Sequence, residues 1–408
     1  MIYVVMARLQ QSPKDFIFFW FAMKRRKIRR VMMLILIRII LIFRRRLRIR
    51  MSKQPSLHNP IHRLAHLDGM IVESDIACIE QLRMDRRTFN IFISLVREVR
   101  GLRDTKNMVV EEMVAIFLHL LAFEEKNREI KYDFQRSGET ISRHFNNVLK
   151  AVLKLSSLLL KKPEPIPENS TDERWKWFKN CIGAIDGTLI DVNVPAIDKS
   201  RHRSRKNTIS TNVLGACAPN MQFIYVLAGW EGSAADGRVL RSALNRNNGL
   251  KVARGNYYLG DAGYKHCDGF LVPYRRTIYH EWRRGLEQPR SKEELFNMRH
   301  ASARNVIERA FGLLKVRWEV LAKGTKYPLS TQIDIILACV YIHNLIRQQM
   351  SVDPMEAILD AYMEEEGEND EIEDDGDYIQ NCDASEEWTN FRNTLAQDMY
   401  DAFLARRH

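Results

Sequence analysis

Apolar residues recur every three or four positions along the first part of the chain, from about His62 to Leu160. That spacing matches the turn of an α-helix and predicts an all-helical block. The clearest stretch is Val109 to Leu121, and a further helix is predicted from Glu139 onward. The residues expected on the inner face of this further helix are Ile141, Phe145, Val148 and Leu149.

A tight turn within this block resembles the corner of a helix-turn-helix. A short predicted helix, Asn127 to Phe134, leads into Gln135-Arg136-Ser137-Gly138, where Ser137 is a candidate N-cap for the helix that follows. The outward face of that helix would then meet a DNA groove. An ordinary helical hairpin with a solvated polar face explains the pattern equally well, so both interpretations stay open. The residues expected to face outward are Arg143, His144, Asn146 and Asn147.

The pattern changes after Lys161 to Ser170, a segment that contains three prolines and is typical of a linker. Short apolar runs bounded by turn residues follow, and helical spacing returns over Ala301–Trp318 and Ser330–Gln348. Strands alternating with helices in this way predict an α/β domain. The predicted strands are Cys181–Ile185, Leu189–Val194, Thr211–Ala216, Phe223–Ala228 and Tyr257–Gly260.

These patterns divide the chain into five parts. We expect a basic and apolar arm over residues 1–50, a helical, helix-turn-helix-like domain over 51–160, and a proline-rich linker over 161–174. The α/β domain occupies 175–350, and an acidic tail occupies 351–408. Within the tail, the acidic run Glu364 to Asp377 is typical of a disordered segment, and a terminal helix is predicted over Glu386 to Ala405.

Charge is distributed unevenly between these parts. The formal net charge is +12, made up of about +13 over residues 1–50, +14 over 51–350 and −15 over 351–408. A basic middle region indicates a polyanionic partner, either nucleic acid or a membrane surface. The six cysteines include no C-x-x-C pair, so we do not expect a structural zinc site.

The N-terminal arm carries an apolar run, Val31 to Phe43, that is interrupted by Arg38. A membrane-spanning helix needs about 20 apolar residues, so this run is too short and contains an unfavourable charge. We interpret the arm as a basic segment that enters the nucleus or touches nucleic acid. A helix lying on a membrane surface and a dispensable, poorly ordered segment are the alternatives.

Four acidic residues stand in short motifs of the α/β block: Asp186 in GAIDGT, Asp236 in GWEGSAADGRVL, Asp261 in YYLGDAGY and Glu308 in NVIERAFGLLK. Each has an ordinary explanation as a turn, cap or ion-pair residue; Glu308, for instance, is one turn from Arg304. Taken together, two aspartates at strand ends and a helical glutamate form a set of hard oxygen ligands suited to Mg²⁺ or Mn²⁺. Phosphodiester chemistry uses two such ions in one site.

These motifs resemble those of the PIF/Harbinger family of DDE transposases and the host nucleases derived from them, in their plant-like form. The resemblance spans about Trp175 to Arg347, and the block from about Leu64 to Leu155 resembles the domain that precedes the nuclease in plant members. It implies an RNase H-like α/β nuclease domain. The matching segments are Gly183–Thr188, Asn212–Leu214, Leu227–Ala234, Gly260–Tyr264 and Asn305–Lys315.

The resemblance also implies roles for the acidic residues. Asp186, Asp261 and Glu308 would be the catalytic residues and would bind two divalent cations, Mg²⁺ or Mn²⁺. Asp236 would be a fourth acidic position near the metals.

The loop around Asp236 departs from the family pattern. The family usually has histidine before this aspartate and serine after it, whereas this chain has Ala235 and Gly237. The loss of these polar neighbours bears on the geometry of the loop but leaves the three principal acids intact.

The sequence therefore predicts a metal-dependent DNA endonuclease, a transposase or a domesticated relative that acts in the nucleus and in which strand transfer is a further expectation. The alternative is a catalytically silent chromatin or protein-interaction factor. A membrane-associated protein is the weakest of the three interpretations. The resemblance adds a Myb-like DNA-binding partner protein, and a homo-oligomer is also expected. Candidate DNA contacts, each of which is also explained as a solvated surface residue, are Arg136, Arg143, Arg203, Arg205, Lys206 and Arg238.

Overall fold

The computed structural model describes residues 60–99, 101–124, 130–131, 133–205, 207–275, 289–366 and 385–406. The described residues from 62 onward form one compact unit, and of residues 1–61 only 60 and 61, which begin a helix, are described. The N-terminal arm, Lys206, half of the predicted helix Asn127–Phe134 and the side chains of the acidic run lie outside the described residues.

The first part of this unit is helical, as predicted. Three of its described helices begin where a short polar side chain caps them: Ser74, Asp85 and Ser137 accept hydrogen bonds from the backbone N–H groups of Ala77, Thr88 and Thr140. The predicted N-cap at Ser137 is therefore confirmed. The helices are α1 (Pro60–Ile71), α2 (Asp75–Leu82), α3 (Arg86–Glu98), α4 (Val110–Phe123), α5 (Gly138–Leu153) and α6 (Ser156–Leu159).

Helix α5 buries the inner face that the sequence predicts, including Ile141 and Phe145. Arg143 and Asn147 are exposed, as expected. The prediction that His144 faces outward is wrong, because the residue is only 7% exposed. The face of α5 that packs against other helices includes His144 as well as the aliphatic residues.

The α/β part contains a five-stranded sheet in the order β3-β2-β1-β4-β5. The pairs β1–β2 and β2–β3 are antiparallel, whereas β1–β4 and β4–β5 are parallel, so β1 lies at the centre of a mixed sheet. The expectation of an α/β domain is confirmed. The strands are β1 (Cys181–Asp191), β2 (Ser210–Cys217), β3 (Phe223–Glu231), β4 (Tyr257–Leu259) and β5 (Phe270–Leu271).

Strand β1 corrects one detail of the prediction. The runs Cys181–Ile185 and Leu189–Val194 were expected to be separate strands, but the ladder with β2 continues without a break through Asp186, Gly187 and Thr188. Gly187 does not interrupt the strand because its backbone pairs normally with Leu214.

Helices pack on both faces of the sheet. The long helices α9 and α11 pack on β1 and β3, and α8 packs on β2 from a second, smaller core. The predicted helices Ala301–Trp318 and Ser330–Gln348 are confirmed, although α9 begins about two turns earlier. The helices of this part are α7 (Lys199–His202), α8 (Asp236–Asn245), α9 (Lys292–Arg317), α10 (Glu319–Lys323), α11 (Leu329–Gln349), α12 (Pro354–Glu366) and α13 (Glu386–Ala405).

One hydrophobic core joins the helical block to the sheet. Phe145 of α5 stacks on Tyr327, with ring centroids 5.2 Å apart, and the side chain of Asn344 in α11 donates hydrogen bonds to the carbonyl groups of Leu159 and Phe223. The proline-rich segment is attached as well, since Ile166 N–H donates to the Cys181 carbonyl at 2.8 Å.

Helix α11 is long and apolar enough to cross a membrane by length and composition. It lies within the core, with 67% of its apolar window buried by the rest of the chain. Core helices of soluble proteins meet the same criterion, so among the described residues this helix is weak evidence for a membrane span.

Candidate active site

Strand β1 places Asp186 on the face of the sheet that α9 covers. Side chains alternate between the two faces of a strand, so Asp186 shares its face with Ala184 and Thr188, and Gly187 points to the other face. Hydrogen bonds to β2 hold the strand on one side, and the Gly187 N–H donates to the Asp186 carboxylate at 2.8 Å. The carboxylate is therefore fixed on a rigid central element, with 19% of its side chain exposed.

Helix α9 places Arg304 and Glu308 opposite this strand. They are four residues apart and so lie on the same face of the helix. Arg304 Nη1 donates to Asp186 Oδ2 at 2.9 Å, and Nη2 donates to Glu308 Oε1 at 2.5 Å. The Arg304 side chain is only 12% exposed, so a largely buried guanidinium joins an acid of the sheet to an acid of the helix.

Asp261 follows β4, the parallel neighbour of β1, at a turn in which the Tyr264 N–H donates to the Asp261 carbonyl. The carboxyl ends of adjacent parallel strands lie at the same edge of a sheet, which brings Asp261 toward Asp186. Its negative charge acts on both Asp186 and Arg304. The structure thus gathers Asp186, Asp261 and Glu308 around Arg304.

Asp236 approaches from the other face of β1. It lies in the first turn of α8, and Asn212 Nδ2 of β2 donates to its Oδ1 at 2.7 Å. A Cβ atom at Gly187 would lie 2.5 Å from the same oxygen, so glycine is required there for Asp236 to come this close. Ala235, at the N-cap of α8, makes no capping hydrogen bond. Asp236 therefore lies at the rim of the cluster, positioned by Asn212.

Burial dominates the electrostatics of Asp186. It raises the pKa of Asp186 to about 7, because desolvation and the charges of Asp261 and Glu308 outweigh the opposing effects of Arg304 and the Gly187 N–H. Desolvation alone would lower the pKa of Arg304, but the three carboxylates raise it. The cluster therefore holds more negative charge than its one arginine neutralises.

The pKa of Asp236 is also raised, first by desolvation and then by Asp261, against the hydrogen bond from Asn212. The residue as a whole is exposed, but its carboxylate is turned inward onto Gly187 and Asn212. The desolvation is therefore local to the carboxylate.

The donor set suits a hard divalent cation, since it consists of carboxylate oxygens that lack a full counter-charge. As they stand, however, no three His, Cys, Asp or Glu side chains within the described ranges are grouped closely enough to hold a metal ion. The Arg304 guanidinium lies between Asp186 and Glu308 and bonds to both.

Three of the predicted DNA contacts lie on the α/β part, and their role stays a prediction. Arg205 is exposed, and its positive charge acts on Asp236, so it lies beside the cluster. Arg203 is exposed and donates to Asn207 Oδ1 at 2.5 Å, and Arg238 lies over the Trp230 ring, 5.4 Å from its centroid.

The two arginines of the helical block differ in their surroundings. Arg136 donates to both carboxylate oxygens of Glu112, at 2.7 and 2.8 Å, and Glu112 is only 2% exposed. Arg136 thus neutralises a buried acid, which is an internal role. Arg143 is exposed and available to a ligand. The surroundings of Arg136 and Arg143 do not test whether either residue contacts DNA.

Two features of the site were missed in the sequence. The contact between Arg304 and Asp186 joins residues 118 positions apart, and nothing local signals it. Lys315 Nζ donates to Thr188 Oγ1 at 2.8 Å, next to Asp186 on the same face of β1. Helical spacing was a usable signal here, because Lys315 lies two turns after Glu308 on α9.

Comparison with known proteins shows which families the chain resembles. Residues 185–344 match a family described as DDE superfamily endonuclease, and residues 65–154 match a domain of unknown function. The resemblance to Harbinger-type DDE transposases and the host proteins derived from them is confirmed. The match of residues 185–344 to a DDE endonuclease domain implies an RNase H-like α/β fold for this part of the chain.

Several relatives cover most of the described region. An ALP1-like protein of Arabidopsis thaliana is 27% identical over 289 residues, which is 65% of this chain and 69% of that protein. Antagonist of like heterochromatin protein 1, also from Arabidopsis thaliana, is 26% identical over 301 residues, 67% of this chain and 74% of the relative. Human HARBI1, whose name describes it as a candidate nuclease, is 28% identical over 57% of this chain and 67% of its own length. No solved structure matches the chain.

Proposed function

We propose that the chain is a divalent-metal-dependent DNA endonuclease that acts in the nucleus. One observation carries the proposal. The carboxylates of Asp186, on a rigid strand, and Glu308, on the facing helix, both accept hydrogen bonds from the Arg304 guanidinium, and the negative charge of Asp261 acts on the same site. A buried acidic cluster with surplus negative charge suits a divalent ion, and the endonuclease superfamily generally uses such ions.

In this proposal, Asp186, Asp261 and Glu308 hold two Mg²⁺ or Mn²⁺ ions, and Asp236 lies at the rim. When bound, the ions would activate water and stabilise the leaving oxygen of a phosphodiester. The central strand keeps the Asp186 carboxylate in a fixed position, which metal ligands require. Exposed arginines beside the cluster, Arg203 and Arg205, would contact the DNA backbone.

A nicking assay tests the proposal. Wild-type protein with Mg²⁺ or Mn²⁺ should cut DNA that carries the sequences flanking its own gene, and chelation should stop the cutting. Asp186→Asn should abolish cleavage while the protein stays folded, because the amide supplies no negative charge to a hard cation. Circular dichroism of the variant checks its folding.

The matched control is Asp360→Asn, which makes the same chemical change on α12, where Asp360 pairs with Arg309 and is 52% exposed. This variant should cleave like the wild type. Cleavage by Asp186→Asn at the wild-type rate would contradict the proposed role of the cluster.

The second candidate function is a chromatin or protein-interaction factor that keeps the fold without cleaving DNA. Two observations favour it: a relative is named as an antagonist of a heterochromatin-like protein, and Arg304 occupies the centre of the cluster. Folded wild-type protein that binds DNA or chromatin but never cuts DNA with either metal would favour this function. Strand transfer, a Myb-like partner and self-association remain proposals that the same DNA substrates can test.

A further inference from the structure

Arg304 is the resident cation of the acidic cluster. Its two terminal nitrogens bond to acids on different elements, Asp186 on β1 and Glu308 on α9. Because Arg304 and Asp186 are both largely buried, the arginine supplies counter-charge where water cannot. The metal-free site is therefore stabilised by the protein itself.

The same oxygens are the ones a divalent ion would need. In the proposed function Asp186 and Glu308 would hold the divalent ion, so the ion and the Arg304 guanidinium would need the same carboxylates. A divalent ion bound to these carboxylates would also repel the Arg304 guanidinium, because the site has a low dielectric constant. Arg304 and a metal ion that uses both Asp186 and Glu308 thus exclude each other.

We propose that Arg304 competes with the divalent cation for Asp186 and Glu308, and must release Asp186 before the metal binds. This inference rests on the proposed function and adds a regulating residue to it: metal affinity is set partly by how firmly Arg304 holds the acids.

The test is the affinity of the protein for Mn²⁺ alone, measured by electron paramagnetic resonance or calorimetry without DNA. Arg304→Gln removes the competing charge and should bind Mn²⁺ at least about tenfold more tightly than the wild type. Its melting temperature in a chelator should fall, because the buried acids lose their counter-ion, and Mn²⁺ should raise it by more than in the wild type.

Arg309→Gln is the matched control. Arg309 lies on the same helix but pairs with Asp360 on the surface, so the variant loses the same charge without touching the cluster. Its affinity for Mn²⁺ should stay within about twofold of the wild type, since exposed charges are screened.

Equal or weaker Mn²⁺ binding by Arg304→Gln would overturn the competition. If that variant does not fold, crystals of the wild type soaked in Mn²⁺ decide. In these crystals Arg304 should have left Asp186, and a bound ion beside an intact Arg304–Asp186 bond would refute the inference.

Wild-type protein that binds Mn²⁺ and cuts DNA while Arg304→Gln gains no affinity for Mn²⁺ would refute the competition alone. Absence of metal binding and cutting in both proteins would overturn the proposed function with it.

Discussion

Asp186 is a proposed metal ligand whose burial is unfavourable for the stability of the metal-free protein. Its pKa is raised to about 7 in the folded protein, above the 3.8 of an exposed aspartate. The folded state therefore holds a proton that the unfolded state releases, and stability without metal should decline as the pH rises from about 4 to about 7.

Asp186→Asn should remove this pH dependence. At pH 8 and in a chelator, we expect the variant to be more stable than the wild type by roughly 1–2 kcal/mol, with a smaller gain toward pH 4. The gain is smaller than the full shift in pKa implies, because the variant also takes one carboxylate from Arg304. Urea unfolding at three pH values measures it. A gain that is as large at pH 4 as at pH 8 would show that the buried charge is not its cause.

Residue-level prediction succeeded where the signal was local: the capping role of Ser137 follows from its place before a helix. The motifs single out Asp186, Asp261 and Glu308, whose catalytic and metal-binding roles stay predictions. The sequence does not predict the contact of Arg304 with Asp186, because this contact depends on how α9 crosses β1. Long-range pairing of this kind is a property of the assembled sheet and helix.

At the scale of elements, the terminal helix α13 covers an edge of the sheet. Trp388 Nε1 donates to the Phe270 carbonyl at 3.3 Å, and Arg392 Nη1 donates to the Val272 carbonyl at 3.3 Å. Both carbonyls belong to the edge strand β5 or directly follow it. An unpaired edge invites association with other chains, so α13 protects the fold as well as burying apolar surface.

Trp388→Ala should therefore destabilise the protein by about 2–4 kcal/mol, since its ring packs on Tyr257 and Phe391 and its N–H is bonded. Trp388→Phe keeps much of the ring contact and should cost less, about 1 kcal/mol for the lost hydrogen bond. Thermal unfolding measures both variants. The control is Leu404→Ala near the exposed end of α13, and a loss in that variant equal to that of Trp388→Ala would contradict the edge-covering role.

Elements were predicted well where one face alone is buried. The bounds of α13 and the inner face of α5 follow from helical spacing. The sequence predicts two strands where β1 is continuous, because the apolar run is interrupted at Asp186 and Gly187; the glycine lets Asp236 approach the strand. The helical pattern also places His144 outward, and only the packing of α5 shows that it is buried.

At the scale of the whole molecule, the helical block and the sheet share one core. The spacing of apolar residues predicts both parts but cannot show that α11 packs against α3, α5 and β3 together. The predicted domain boundaries stay predictions, and the shared core implies that experiments on the helical block are best done in the full chain.

In the full chain, the helical block is predicted to bind DNA, with exposed Arg143 as a candidate contact. Each phosphate neutralised on duplex DNA contributes roughly −0.9 to the slope of log affinity against log salt concentration. If exposed Arg143 meets a phosphate, Arg143→Ala should weaken binding to many sequences and flatten that slope by about one unit. If it meets a base edge, discrimination between DNA sequences should instead fall by roughly 1–3 kcal/mol at one base position.

The control, Arg87→Ala, removes an exposed charge from α3. Titrations of wild type and both variants at several salt concentrations distinguish the outcomes. An unchanged slope with unchanged discrimination in Arg143→Ala would leave DNA recognition to the α/β part or to a partner protein.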